Sequence, residues 1–173
     1  MDWSTFRTAA GFLATLLRNV TGISLRADRP DAIYNYRLFG GQFHTSGQPT
    51  EKQLAAIREA GFRRIINLAP AAVENALPDE AGTLAALDVD YVHIPVDWKD
   101  PTDSDFEKFV AAYDLDGDER VWVHCAANMR VSAFIYRYRR DILKEDEAAA
   151  RAEMNGIWEP FGVWRTFLGW RKE

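Results

Sequence analysis

Residues 121–132 read Val121-Trp122-Val123-His124-Cys125-Ala126-Ala127-Asn128-Met129-Arg130-Val131-Ser132. The first residues are a short, bulky apolar run of the kind that makes a buried strand. Small and turn-forming residues follow, and then a helix is predicted over 130–143. The strand therefore ends at Cys125, and a tight loop feeds the helix. In an open α/β sheet, ligands bind outside the carboxyl ends of strands. Amides at a helix N-terminus point at that spot and favour an anion. They favour a thiolate as well. Arg130 is placed to offer a planar fork to phosphate-type oxygens. Ser132 is a candidate hydrogen-bond partner for a thiolate or a leaving group. His124 either orients the loop and tunes the thiol or is a strand-end histidine bonded to backbone. The competing structural reading takes Cys125 as a small buried residue and Arg130 as a surface arginine of a first helical turn.

On both sides of this stretch, strands alternate with helices. Ile33 to Phe43 reads as short extended pieces broken at Gly40-Gly41. Pro49-Thr50-Glu51 opens a helix with Leu54, Ile57 and Ala60 on one face and Gly61 as its stop. Arg63 to Leu68 is a buried strand, and Pro78 to Leu87 a helix with proline in its first turn. Tyr91 to Val96 is the next strand. Thr102 or Asp103 caps a helix carrying Phe106, Phe109, Val110 and Tyr113. After the Arg120–His124 strand and the following helix, two helical segments close the chain, around 145–155 and 160–170. The pattern predicts an α/β domain over 31–173, with a mostly parallel central sheet of four to five strands flanked by helices. Residues 1–30 are set apart as an extra N-terminal helix and a connector. Trp3, Phe6, Ala10, Leu13, Leu17 and Val20 fall at helical spacing there. That helix packs on the domain, on a second copy, or on a membrane surface.

Composition narrows the function classes. The chain has 173 residues, 47% hydrophobic and 27% charged, which suits one globular domain with a core of its own. The net charge of -5 argues against a general nucleic-acid binder. A single cysteine excludes a disulfide framework within the chain and a four-cysteine zinc site. His44 and His93 share no ligand spacing with Cys125, so no metal is expected. Asp114-Leu115-Asp116-Gly117-Asp118 lacks the closing glutamate of a calcium loop and reads as a solvated turn. No apolar run approaches the roughly 18 residues of a membrane span. The N-terminus has no signal-peptide pattern, so a cytoplasmic location is expected. Trp158, Phe161, Trp164, Phe167 and Trp170 read as core or interface. Arg137, Arg139 and Arg140 read as a solvated helix face.

A histidine-cysteine pair after a strand, an arginine a few residues on and then a hydroxyl residue resembles the phosphate loop of the cysteine-dependent protein tyrosine and dual-specificity phosphatases. Further stretches resemble the small bacterial members of this superfamily. They are Ser46-Gly47-Gln48-Pro49-Thr50, Ala60-Gly61-Phe62, Ile66-Asn67-Leu68, His93-Ile94-Pro95-Val96-Asp97 and Pro101. The similarity spans roughly 33–143. The family loop places five residues between cysteine and arginine. Here four stand there: Ala126, Ala127, Asn128 and Met129. With one deletion, Arg130 is the phosphate-binding arginine. Without a gap, Asn128 falls at the family's glycine, Ser132 at its serine or threonine, and Val131 at its arginine. Asn suits that glycine position because it tolerates a left-handed backbone. Either way Arg130 is the loop's arginine.

The resemblance implies attack on phosphorus by Cys125, with no metal and no cofactor. Ala126, Ala127, Asn128, Met129, Arg130 and Ser132 would hold the phosphoryl oxygens. A separate aspartate would act as general acid, Asp97 as first choice and Asp100 as second. The local reading of Asp100 is a turn former. The expected substrate is a phosphorylated protein or a small phosphorylated metabolite. Either the N-terminal helix or the aromatic C-terminus offers a face for a homodimer. Two other functions compete. Rhodanese-like sulfurtransferases also hang a cysteine on a strand-to-helix loop, and their loop is shorter. A catalytically dead phosphate-binding module would also carry such a loop, since the shortened version makes a smaller cradle.

Overall fold

The computed structural model describes Thr5, Thr8, residues 28–113 and residues 120–170. The rest of the expected N-terminal helix and the Asp114–Asp118 turn lie outside the described residues.

Five strands form one sheet in the order β1-β2-β5-β3-β4. They are β1 (Arg37–Phe39), β2 (Phe43–Ser46), β3 (Phe62–Asn67), β4 (Asp90–His93) and β5 (Arg120–His124). Only β1 and β2 pair antiparallel, across a turn at Gly40 and Gly41 where both glycines have positive φ. At Gly40 a side chain would also meet the Arg139 guanidinium at 3.2 Å. The β2–β5, β5–β3 and β3–β4 pairs are parallel. Strand β5 thus lies at the centre, paired on both edges, which is where its bulky apolar residues belong. Its side chains alternate between two cores. Val121 and Val123 join one, and Trp122 joins the other with Ile65, Leu54 and Leu84.

The helices begin where their caps dictate. Helix α1 (Glu51–Glu59) opens on a reciprocal Thr50–Gln53 capping box and stops before Gly61, whose φ is 91°. Helix α2 (Glu80–Ala86) is capped by Asp79, whose side chain accepts from Gly82 N–H. Pro78 therefore precedes the cap rather than standing in the first turn as expected. Helix α3 (Asp103–Tyr113) starts after Thr102, which exchanges hydrogen bonds with Asp105. Helix α4 (Met129–Arg137) follows the Cys125 loop and is buried continuously from Arg130 to Tyr136. A single π turn, Tyr138–Ile142, extends it. Helices α5 (Glu147–Asn155) and α6 (Val163–Phe167) close the chain.

Two expectations change. Strand β4 ends at His93 rather than Val96, because Pro95 has no N–H for the ladder. The chain nevertheless keeps alongside β3, through Ile94 N–H to Asn67 O at 2.9 Å and Val96 N–H to Leu68 O at 3.2 Å. The arginines at the end of α4 and in the π turn do not form a solvated face. Arg139 is 4% exposed and pairs with Glu145 at 2.7 Å and Glu153 at 2.9 Å. Arg137 lies over the Phe106 and Phe167 rings. Arg140 donates to Leu168 O at 2.6 Å. The π turn offsets the helical register here and carries Arg139 inward.

Three of the C-terminal aromatics, Trp158, Trp164 and Phe167, are core. Trp158 and Trp164 are fully buried against Trp98, with ring centroids 5.1 and 5.0 Å away. Phe161 remains exposed. Among the described residues, no helix is long and apolar enough to cross a membrane.

Candidate active site

Cys125 stands at the carboxyl end of the central strand and is 1% exposed. Its N–H donates to Ser46 O at 3.3 Å, which fixes where the chain leaves the sheet. Asn128 then adopts φ 64°, ψ 4°, the left-handed turn that reverses the chain into α4. Asparagine tolerates this conformation better than most residues. Its Nδ2 donates to Asn35 O at 2.7 Å and Thr45 Oγ1 at 2.9 Å, so the turn is anchored to β2 and the segment before β1.

The loop carbonyls are held by neighbours. Ala126 O accepts from Gln48 N–H at 3.3 Å and from Asn75 Nδ2 at 3.0 Å. Ala127 O accepts from Asn35 Nδ2 at 3.0 Å. The N–H groups of Ala126 and Ala127 donate to no protein acceptor among the described residues, whereas the Gly47–Ala127 bridge turns the Asn128 N–H toward Ser46. The first N–H groups of α4 have no intrahelical partner either. A set of unused amide donors therefore surrounds the cysteine, an arrangement that holds an anion.

A cavity of about 430 Å³ opens over this loop. Cys125, Ala126, Ala127, Met129 and Arg130 form its floor. Trp98, Val73 and Ala72 give apolar walls, and Thr8 and Glu74 complete the lining. Arg130 is 8% exposed, and its Nε donates to Val96 O at 3.0 Å. That bond leaves the two terminal nitrogens of the guanidinium for a ligand. Its carbon lies 5.4 Å from the Trp98 ring centre, and Trp164 Nε1 donates to Trp98 O at 3.0 Å. The aromatic C-terminus thus steadies the residue that flanks the arginine.

The other expected residues are placed differently. Asp97 is exposed and does not line the cavity; its carboxylate accepts from Lys99 N–H at 2.9 Å. It immediately precedes Trp98, which does line it. Asp100 is exposed one turn further out, its N–H 3.4 Å from Asp97 O. Ser132 is buried, donates to Met129 O at 2.9 Å and accepts from Trp158 Nε1 at 3.1 Å. Its hydroxyl proton is thus directed into the helix rather than to Cys125. Glu74, Asn75 and Asn35 carry no local spacing signal, and sequence reasoning misses all three.

His124 is fully buried, and its partner is a carboxylate rather than backbone: Nε2 lies 3.1 Å from Glu80 Oε1. Glu80 also accepts from Gln48 Nε2 at 2.9 Å, Asn67 Nδ2 at 2.7 Å and Tyr91 Oη at 3.1 Å. Burial alone would push this carboxyl up. The attraction to His124 and the hydrogen bonds from Gln48 and Tyr91 outweigh burial and hold it down at about 2. Burial, and next the Glu80 charge, push the Tyr91 phenol up, so it stays a donor. Gln48 and Asn67, which stood out only as parts of a resemblance, thus act as ligands of one buried carboxylate beneath the nucleophile loop.

This network predicts an acid-sensitive fold. A carboxylate depressed by folding stabilises fully above its unfolded value of 4.5, and that contribution is lost as pH falls toward about 2. The loss is on the order of 3 kcal/mol. Urea unfolding followed across that window should show the decline, and Glu80→Gln should flatten it. A Glu80→Gln protein whose stability falls with the parent's slope would contradict the assignment.

Among the described residues, no group of three or more His, Cys, Asp or Glu side chains is arranged to hold a metal ion. The model of the family described as DSP-PTPase phosphatase fused to NAD+ kinase matches residues 28–159. The chain belongs to that family. It is 34% identical to a DUF442 protein of Shewanella putrefaciens to which a phosphatase activity is ascribed, with a TM-score of 0.70 over 79% of this chain and 87% of that one. The core catalytic domain of the PP-IP phosphatase Siw14 from S. cerevisiae shares the fold at 13% identity, with a TM-score of 0.65 over 79% and 85% of the two chains. TpbA of P. aeruginosa, solved with phosphotyrosine, shares it at 19% identity, with a TM-score of 0.56 over 76% and 78%. No curated protein matches the chain. The cysteine loop, the sheet order and the family match together make this a phosphatase of the tyrosine and dual-specificity fold.

Proposed function

We propose that this phosphatase hydrolyses a phosphate monoester through a phosphocysteine on Cys125. The carrying observation is the cradle: a cysteine on the cavity floor, ringed by loop amides without protein acceptors, with Arg130 beside it. In the first step the Cys125 sulfur attacks phosphorus in line. The S–P bond forms as the P–O bond to the leaving group breaks. Loop amides and Arg130 take up the charge on the equatorial oxygens. Asp97 gives its proton to the departing oxygen. Water then attacks phosphorus, the S–P bond breaks, and Asp97 takes a proton from that water. Phosphate leaves and the thiolate is restored. No residue in this scheme needs a metal or cofactor.

The apolar walls of Trp98, Val73 and Ala72 suit an aromatic ring, so the substrate reading is phosphotyrosine or a dual-specificity phosphoprotein. The reading places the reaction in the cytoplasm, where a lone catalytic thiol stays reduced. For a homodimer, the exposed Phe161 and Val163 are the apolar face offered by the C-terminal segment. Thr8 of the N-terminal segment is tied to the α/β domain: its Oγ1 donates to Ile157 O at 2.6 Å.

Hydrolysis of p-nitrophenyl phosphate, with chelator present and from acid to neutral pH, tests the reaction. Turnover without transfer of sulfur from thiosulfate to cyanide is the expected result. Asp97→Asn should lower kcat about 100-fold for a phosphotyrosyl peptide, whose leaving group needs the proton. It should lower it much less for p-nitrophenyl phosphate, whose leaving group departs without help. Equal losses on both substrates would remove Asp97 from the role. Absence of turnover with retained phosphate binding would leave a binding module instead.

A further inference from the structure

Ala126 and Ala127 sit on the cavity floor, yet neither Asn75 nor Asn35, which bind their carbonyls, lines the cavity. Both carbonyls are therefore drawn away from the ligand space. A trans peptide is planar, with its C=O and N–H on opposite sides. Tying Ala126 O outward turns the N–H of Ala127 inward. A flipped peptide would aim a carbonyl at the anion and remove one of its donors. Asn75 is 2% exposed and comes from the segment between β3 and α2, 51 residues before its partner. Its Nδ2 is spent on Ala126 O, while its Oδ1 is buried with no partner among the described residues. An orphaned carbonyl oxygen is costly, and an apolar side chain would fill the space without it. The loop has neither a glycine nor the family's fifth residue between cysteine and arginine, so its peptide orientations depend on outside tethers.

We infer that Asn75 is a positioning residue for the phosphate cradle, fixing the Ala126–Ala127 peptide so that its N–H faces the bound oxyanion. The inference rests on the proposed phosphatase reading for its use, but oxyanion binding tests it without turnover. The probe is tungstate, a tetrahedral oxyanion, with kcat and KM for p-nitrophenyl phosphate measured alongside. Asn75→Leu keeps the volume and removes the donor. Asn75→Asp keeps the shape and reverses the hydrogen-bond sense. Tungstate affinity should fall at least about tenfold in Asn75→Leu and about 100-fold in Asn75→Asp, the scale set by losing one oxyanion donor. KM for p-nitrophenyl phosphate should rise and kcat should fall, with little change in Tm for Asn75→Leu. A packing role predicts the reverse for Asn75→Leu: parent-like tungstate affinity and kcat/KM. That result in a folded variant overturns the inference. Should those two variants lose the fold, Asn75→Ala, which removes the donor without adding bulk or charge, reads the same tether: weakened tungstate binding supports the inference, and parent-like binding overturns it. Tungstate binding that weakens as expected in a parent without turnover would retain the inference and reject the phosphatase reading alone.

Discussion

Serine at position 125 should stop turnover, lowering kcat by at least about 10⁴-fold while leaving oxyanion binding in place. A serine hydroxyl is a far weaker nucleophile than the cysteine sulfur without a base beside it to activate it, so the covalent step is lost. Little else changes. Cys125 is 1% exposed at the end of β5, its N–H is tied to Ser46 O, and the loop tethers lie on other residues. Oxygen is smaller than sulfur, so the cradle keeps its shape. The measurement is kcat for p-nitrophenyl phosphate beside tungstate affinity. Residual turnover within about a hundredfold of the parent would mean that another group attacks phosphorus.

Arg130→Lys should cost about 10³-fold in kcat/KM although the charge is kept. The guanidinium is already oriented, with Nε on Val96 O at 3.0 Å and its face toward Trp98 at 5.4 Å. Its remaining nitrogens form a planar fork that matches two phosphoryl oxygens as charge spreads over them. Lysine offers one point charge on a flexible stem. It cannot hold the Val96 carbonyl and two oxygens together. Both KM and kcat should suffer, because the contact forms with the ground state and tightens in the transition state. A lysine variant within tenfold of the parent would remove the bidentate role and leave the loop amides as the whole cradle.

The sheet and most helices were legible because their signals are local. Period-two burial along Val121-Trp122-Val123 and the caps at Thr50 and Thr102 read directly from neighbouring residues. Asn128 was legible too, since few residues accept its φ of 64°. The supports of the site were not legible. Glu80 looks like an ordinary acidic residue of a first helical turn, yet it is 7% exposed and bound by four side chains from four other places in the chain. Asn35 and Asn75 reach the loop across 92 and 51 residues. No spacing rule encodes contacts of that range. Arg139 was misread because a π turn breaks the helical period that assigns faces. Trp98 escaped notice beside Asp97, although it is Trp98 that lines the cavity.

The most direct test of the central claim is to trap the intermediate. The protein is mixed with p-nitrophenyl phosphate, quenched in acid within the first turnovers, digested and mapped by mass spectrometry. The account predicts one added phosphoryl group on the peptide carrying Cys125, absent from Cys125→Ser and lost on waiting before the quench. Rapid turnover with that peptide unmodified, or a phosphoryl group on another residue, would contradict it.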